Sequence, residues 1–206
     1  MTWPNRRSIR LRGYDYSQPG AYYVTVCSAG RECLFSEVVE GAMRLSHLGS
    51  EVEAAWSELP SHYPMVDLDA FVVMPNHVHG VIVLLDGAAP EEDLVGAGLR
   101  PSRQAAPTCP HTLPEVIRAF KSFSARRTNA LRGTTGAHVW QRNYYERVVR
   151  SERELERIRE YIENNPAQWE NDREHPSGPS ARGETTERRD SADDIERVLR
   201  QPRGRV

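Results

Sequence analysis

Two short apolar runs, separated by a single Pro-Asn break, constrain this chain more than any other feature. Residues 67–74 are rich in Val, Leu and Phe, Pro75-Asn76 interrupts them, and residues 77–85 form the second run. Runs of this length joined by turn-forming residues predict a hairpin of two central strands. The second run opens His77-Val78-His79, and the two-residue period of a strand puts both imidazoles on one face and Val78 on the other. Imidazoles in so apolar a strand are costly unless they are partnered or face an open site. Two neutral ring nitrogens on one face make half of a divalent metal site, with a packing role as the alternative.

Other elements can be placed around this hairpin. Residues 22–28 (YYVTVCS) are β-branched and aromatic and predict a strand, with 41–45 expected to pair beyond the connecting loop. Ser46 opens a helix to Leu59, with Leu48, Val52, Ala55, Trp56 and Leu59 at spacings of three or four and Pro60 as its end. Residues 86–110, rich in Gly, Ala and Pro, are expected to form a loop insertion of low order. A helix over 113–131 has Val116, Ile117, Phe120 and Phe123 on one side and Arg118, Lys121, Arg126 and Arg127 largely on another, with Gly133 as its cap. Residues 139–149 read as a strand. Ser151 and Glu154 form a capping box for a last helix that Pro166 stops near Asn165.

The order strand, strand, helix, two strands, helix, strand, helix fits an α+β ferredoxin-like sandwich with helices covering an antiparallel sheet. The expected organisation is a basic N-terminal arm over 1–20, one domain over 21–170, and a disordered polar tail over 171–206 with at most a short helix at 192–200.

Composition narrows the function classes. With 206 residues, 38% hydrophobic and 27% charged, the chain suits one soluble domain plus a tail. No run approaches the ~18 apolar residues of a membrane span, and the Arg-rich start lacks the apolar stretch of an export signal, so a cytoplasmic protein is expected. Cys27, Cys33 and Cys109 are odd in number and lack CxxC spacing, which argues for free thiols over a disulfide framework or zinc ribbon. The net charge of −2 conceals segregation: residues 111–160 carry eleven basic and six acidic side chains. Arg6, Arg7, Arg10 and Arg12 add to this in the arm. Such segregation permits a nucleic-acid-binding face on a near-neutral molecule, and solvated helix faces are the plainer alternative.

Tyr161 and Asn165 are four apart and share a helix face, so a metal held by the Asn165 side-chain oxygen would lie near the Tyr161 hydroxyl. A phenol of pKa near 10 is a poor nucleophile at neutral pH, and such a site would orient it while the metal polarises the phosphate it attacks. The alternative is that Tyr161 packs on the sheet and Asn165 caps the helix before Pro166.

At this point the chain resembles a known family. The string Val73-Met74-Pro75-Asn76-His77-Val78-His79-Gly80 is similar to the signature of the HUH single-tyrosine transposases, which cut and rejoin single-stranded DNA through a 5′-phosphotyrosine. Gly13-Tyr14-Asp15-Tyr16 leading into Ala21-Tyr22-Tyr23-Val24-Thr25, then Trp140-Gln141-Arg142-Asn143-Tyr144-Tyr145-Glu146, and Tyr161-Ile162-Glu163-Asn164-Asn165-Pro166 match it too. The resemblance spans roughly residues 6–169 and points to the REP-associated tyrosine transposases. It implies Mg²⁺ or Mn²⁺ bound by His77 and His79, Tyr161 as nucleophile, and Asn165 as a third ligand where related insertion-sequence enzymes carry Gln. It also implies a palindromic single-stranded or hairpin DNA partner and a monomer.

The expected chemistry is in-line attack of the Tyr161 oxygen on a phosphodiester with a 3′-hydroxyl leaving, in DNA transposition or in processing of repetitive palindromes. Arg118, Lys121, Arg126 and Arg127, with the four arm arginines, are the candidate DNA contacts. Tyr144 and Tyr145 compete as nucleophiles, but on a strand they face opposite ways. A cleavage-inactive DNA-binding protein and a water-using phosphohydrolase are the alternatives.

Overall fold

A computed structural model describes residues 13–86, 111–172, 174–176, 195 and 199. The arm residues Arg6, Arg7, Arg10 and Arg12, most of the 86–110 insertion, Cys109 and most of the expected tail lie outside them.

Four strands form one antiparallel sheet in the order β4-β5-β1-β6: β1 (Gly20–Cys27), β4 (Val66–Val73), β5 (His77–Leu84) and β6 (Tyr145–Val148). A separate hairpin pairs β2 (Ser36–Val39) with β3 (Ala42–Leu45). The helices are α1 (His47–Ser57), α2 (Leu59–His62), α3 (Leu113–Arg132) and α4 (Glu152–Asn164). Without the hairpin and α4, the succession β1-α1-β4-β5-α3-β6 with this strand order is the ferredoxin-like α+β fold expected from the sequence.

Alternation along β1 and β5 divides the interior in two. Tyr22, Val24, Val26, Val78 and Ile82 pack with residues of α1 and α3, including Trp56 and Phe120. Tyr23 and Val81 face the other way, where Leu155, Ile158 and Ile162 of α4 cover them. Fully burying an aliphatic side chain of this size stabilises by about 1.5–3 kcal/mol, so Ile158 and Ile162, both nearly inaccessible, seat α4 firmly. Arg159 adds a two-pronged ion pair to Asp69 at 2.8 and 2.7 Å. Asp69 lies where the β4–β5 register shifts between Leu68 and Phe71.

Gly80 permits the close approach of α1. A Cβ there would meet the Trp56 ring at 2.4 Å, and Trp56 in turn stacks on Phe71 with ring centroids 4.5 Å apart.

Several local expectations are corrected. The strand at 41–45 pairs with 36–39 instead of with β1, because Glu40 (φ 52) and Gly41 (φ 76) make a two-residue turn whose twist suits a tight hairpin. Pro60 sits in the first turn of α2, a place where its missing N–H costs nothing, and the chain breaks at Glu58. The strand expected over 139–149 shortens to β6, with Trp140 making an isolated bridge to Ser28 and donating its indole N–H to Ser124 Oγ at 2.9 Å. Ser151 caps α4 by accepting from the Glu154 N–H, whereas the Glu154 carboxylate accepts from the Arg150 N–H and pairs with Arg147.

Candidate metal and nucleophile site

The turn at Pro75-Asn76 sets the position of the histidines. Asn76 is fully buried, and its side-chain Nδ2 donates to the carbonyls of Arg31 (3.2 Å) and Glu174 (2.6 Å). Both acceptors require the NH₂ end of the amide, so the Oδ1 end is the atom 2.9 Å from His77 Nδ1. An amide oxygen only accepts, so His77 carries its proton on Nδ1 and presents a bare Nε2 lone pair.

On β5 the two imidazoles turn toward the α4 side, where His77 Nε2 and His79 Nε2 lie 3.0 Å apart. His79 Nδ1 is 2.8 Å from the Tyr23 hydroxyl and 2.9 Å from the Thr25 hydroxyl. Tyr23 and Thr25 are alternate residues of β1, and Thr25 is the cross-strand partner of His79. Their hydroxyls donate or accept, so His79 can hold its proton on either nitrogen and can expose Nε2 as a ligand atom.

His77 and His79 are 0% and 2% exposed. Burial penalises the imidazolium and pushes the His77 pKa down to about 3, with Arg31 adding repulsion. His79 is also driven well below its ordinary value, by burial first and by His77 second. Both are therefore neutral, the state in which imidazole ligates a cation.

A short 3-10 turn, Pro166–Asn171, follows α4 and folds the chain back over the pair. Trp169 is buried with its ring 6.0 Å from that of His77, and Asp172 Oδ2 comes within 3.9 Å of His77 Nε2. The Glu174 N–H fixes Asp172 Oδ1 at 2.6 Å, while Arg31 pairs with Glu174 at 2.9 Å. Ligand atoms of His77, His79 and Asp172 all lie within 4.8 Å of one another, a group able to hold a metal ion.

Tyr161 borders this group from α4, its ring centroid 5.4 Å from that of His79 and 6.3 Å from that of Tyr23. Asn165, 4% exposed, ends the helix one turn further on, and its Oδ1 is buried with no hydrogen-bond partner among the described residues. An unsatisfied buried amide oxygen is costly and fits a residue waiting for a cation. The donor set of two imidazole nitrogens and a carboxylate accommodates a divalent ion such as Mg²⁺ or Mn²⁺.

No protein-family model matches the chain. A Haemophilus influenzae protein, itself uncharacterised, is 38% identical over 168 residues, covering 82% of this chain and 92% of that one. The chain belongs to one family with it. Among solved structures, a REP-associated tyrosine transposase bound to a REP hairpin superposes with a TM-score of 0.50 at 19% identity, over 77% of this chain and 73% of that one. The two chains share their fold.

Within this fold, His77, His79 and Tyr161 stand on the α4 face of the sheet, and Asn165 ends α4 itself. The α3 candidates belong to the helix on the opposite face. Three of them are engaged within the chain: Lys121 Nζ donates to the carbonyls of Gln141 (3.0 Å) and Asn143 (2.9 Å), Arg127 pairs with Glu58 through both terminal nitrogens, and Arg126 Nε donates to the Ser122 carbonyl at 3.3 Å. Arg118 and Arg126 are exposed. Tyr144 and Tyr145 do face opposite ways, Tyr144 toward the α3 side and Tyr145 toward Tyr23.

Asp172 joins the histidines without any sequence signal, and Tyr23, Thr25 and Asn76 stand in the matched strings but acquire a role at the site only through their hydrogen bonds to the imidazoles. For Tyr23 and Thr25 a signal existed, since they alternate on the strand that leads the matched motif. For Asp172 none did, because it lies in polar sequence with no periodicity. Among the described residues, no helix is long and apolar enough to cross a membrane.

Proposed function

We propose that this protein cleaves and rejoins single-stranded DNA through a covalent 5′-phosphotyrosine at Tyr161, in transposition or in the processing of repetitive palindromic elements. The observation that carries the proposal is the Tyr161 ring standing 5.4 Å from His79, beside two buried neutral imidazoles whose Nε2 atoms converge. A hydrolase that used water would have no need of a tyrosine at that edge. The hairpin-bound transposase of the same fold supports a hairpin DNA as the partner.

A divalent cation held by His77, His79, Asp172 and Asn165 would supply charge to stabilise the non-bridging oxygens of a pentacovalent phosphorus. The remaining work belongs to the chain. Tyr161 and Asp172 are the partly exposed members of the group, so a strand reaches the site past these two side chains. α4, held by its buried isoleucines and by Arg159, aims the Tyr161 oxygen in line with the scissile bond. The Tyr161 O–P bond forms as the P–O3′ bond breaks, and the phenolic proton is recovered on the departing 3′-hydroxyl. A different 3′-hydroxyl then attacks the phosphotyrosine, releases Tyr161 and joins a new strand without an external energy source.

Tyr23 is also near His79 but has another task. It is wholly inaccessible, burial raises its pKa well above 10, and its hydroxyl is engaged with His79. It orients the imidazole.

The test is incubation with a labelled single-stranded hairpin and Mn²⁺. A 5′-phosphotyrosine keeps a 3′ label on the protein through SDS and releases a 5′ label as free DNA, and Tyr161→Phe abolishes the adduct. Cleavage that persists in Tyr161→Phe would assign the reaction to water, and binding without cleavage would leave a DNA-binding module.

A further inference from the structure

We propose that Arg150 and Arg153, with Arg147 and Arg157 beside them, form the phosphate track that leads the DNA strand to Tyr161; this rests on the DNA-cleavage reading above. These four arginines line a cavity of about 350 Å³ at the junction of β6 and α4, with Glu154 as the one acidic side chain in its wall among the described residues.

The cavity lies on the same side of the sheet as the histidines. Arg147 alternates with Tyr145 on β6, and Tyr145 packs on Tyr23. Along α4, Arg153, Arg157 and Tyr161 recur every four residues and so run as one stripe down the helix. At 1.5 Å per residue the stripe carries the arginine charge over about 12 Å to the Tyr161 position, a reach of a few nucleotides.

Two features separate this stripe from an ordinary solvated helix face. The first is a like-charge pair: Arg153 and Arg157 at i, i+4 repel each other, and an anion bound between them reverses the sign. The second is availability. Arg147 pairs with Glu154 and Arg157 donates to the Leu199 carbonyl, so these two are held in place. The exposed side chains of Arg150 and Arg153 make no hydrogen bond or ion pair among the described residues. A planar guanidinium so placed binds a phosphodiester through paired N–H donors.

Phosphate contacts position a strand without reading its sequence, so the track predicts a uniform, salt-sensitive contribution to binding. The experiment uses the full chain carrying Tyr161→Phe, so that no adduct forms, with a fluorescent single-stranded hairpin bearing an unpaired flank and anisotropy followed through a salt titration. Arg150→Ala with Arg153→Ala should weaken binding about 20-fold near 0.1 M salt and reduce the salt slope by about 1.4, as two lost phosphate contacts require. The loss should be equal for unrelated flank sequences, and the double Lys variant should recover most of it. Both positions are exposed, so circular dichroism should show an unchanged fold. Affinity and slope within twofold of the parent would overturn the track and leave the DNA-cleavage reading standing. A parent protein that binds no DNA would overturn both.

Discussion

Asn76 is the residue that gives the histidine pair its direction. Its amide is held by two carbonyls contributed by Arg31 and by Glu174, and that double anchor fixes which nitrogen of His77 is bare. Partners that orient a ligating histidine typically contribute 10- to 100-fold in metal affinity. Asn76→Ala should therefore weaken Mn²⁺ binding by about that factor in calorimetry; unchanged affinity would mean that His77 needs no such support. Asp172→Ala should also weaken Mn²⁺ binding, since it removes the one carboxylate within reach of His77 and His79 among the described residues.

The site residues divide by how far the chain travels to bring them together. His77 with His79, and Tyr161 with Asn165, are pairs at strand and helix spacing, so one period of local structure reveals them. Tyr23 meets His79 from 56 positions away, and Asn76 meets Glu174 from 98 away. Neither contact leaves a local pattern, because only sheet register and the turn after α4 create it.

At the scale of elements, the β5 strand does two jobs at once, offering histidines to one face and tight packing to the other. Gly80 lies between these roles, its Cα bare so that Trp56 can lie against the strand. Gly80→Ala should lower the unfolding free energy by about 1–3 kcal/mol, the usual cost of overpacking a core, seen as a lower urea midpoint. An unchanged midpoint would show that α1 can shift without penalty. The central hairpin was legible from its apolar runs, α1 and α3 from apolar periodicity, and α4 from the Ser151 cap and the Pro166 stop. The β2–β3 hairpin was not, because Ser36–Val39 is a short strand of mixed polarity and the Glu40-Gly41 turn is recognised only by its positive φ angles. The segment after Asn171 has the composition of a tail, yet Glu174 is tied into the site by Arg31 and Asn76 and holds Asp172 through its own N–H.

For the whole molecule, burying two neutral imidazoles links stability to pH. An unfolded histidine takes up a proton near pH 6.5, whereas His77 in the folded chain resists it until about pH 3 and His79 is depressed as well. The unfolded state thus binds more protons as pH falls, so stability is full above about 6.5 and declines toward about 3. Each histidine contributes up to about 1.4 kcal/mol per pH unit in that window. Denaturant unfolding of metal-stripped protein should show this slope, and His77→Gln should reduce it; a flat profile below pH 6.5 would contradict the burial of neutral imidazoles.

The central claim is that Tyr161, out of the eight tyrosines of the chain, becomes bonded to DNA. Mass spectrometry of the nuclease-trimmed adduct formed with Mn²⁺ and a hairpin substrate tests it most directly. The expected product is an α4 peptide with a residual nucleotide 5′-phosphate on Tyr161. The same mass on a peptide carrying Tyr23, Tyr144 or Tyr145, or cleaved DNA with no modified peptide, would contradict it.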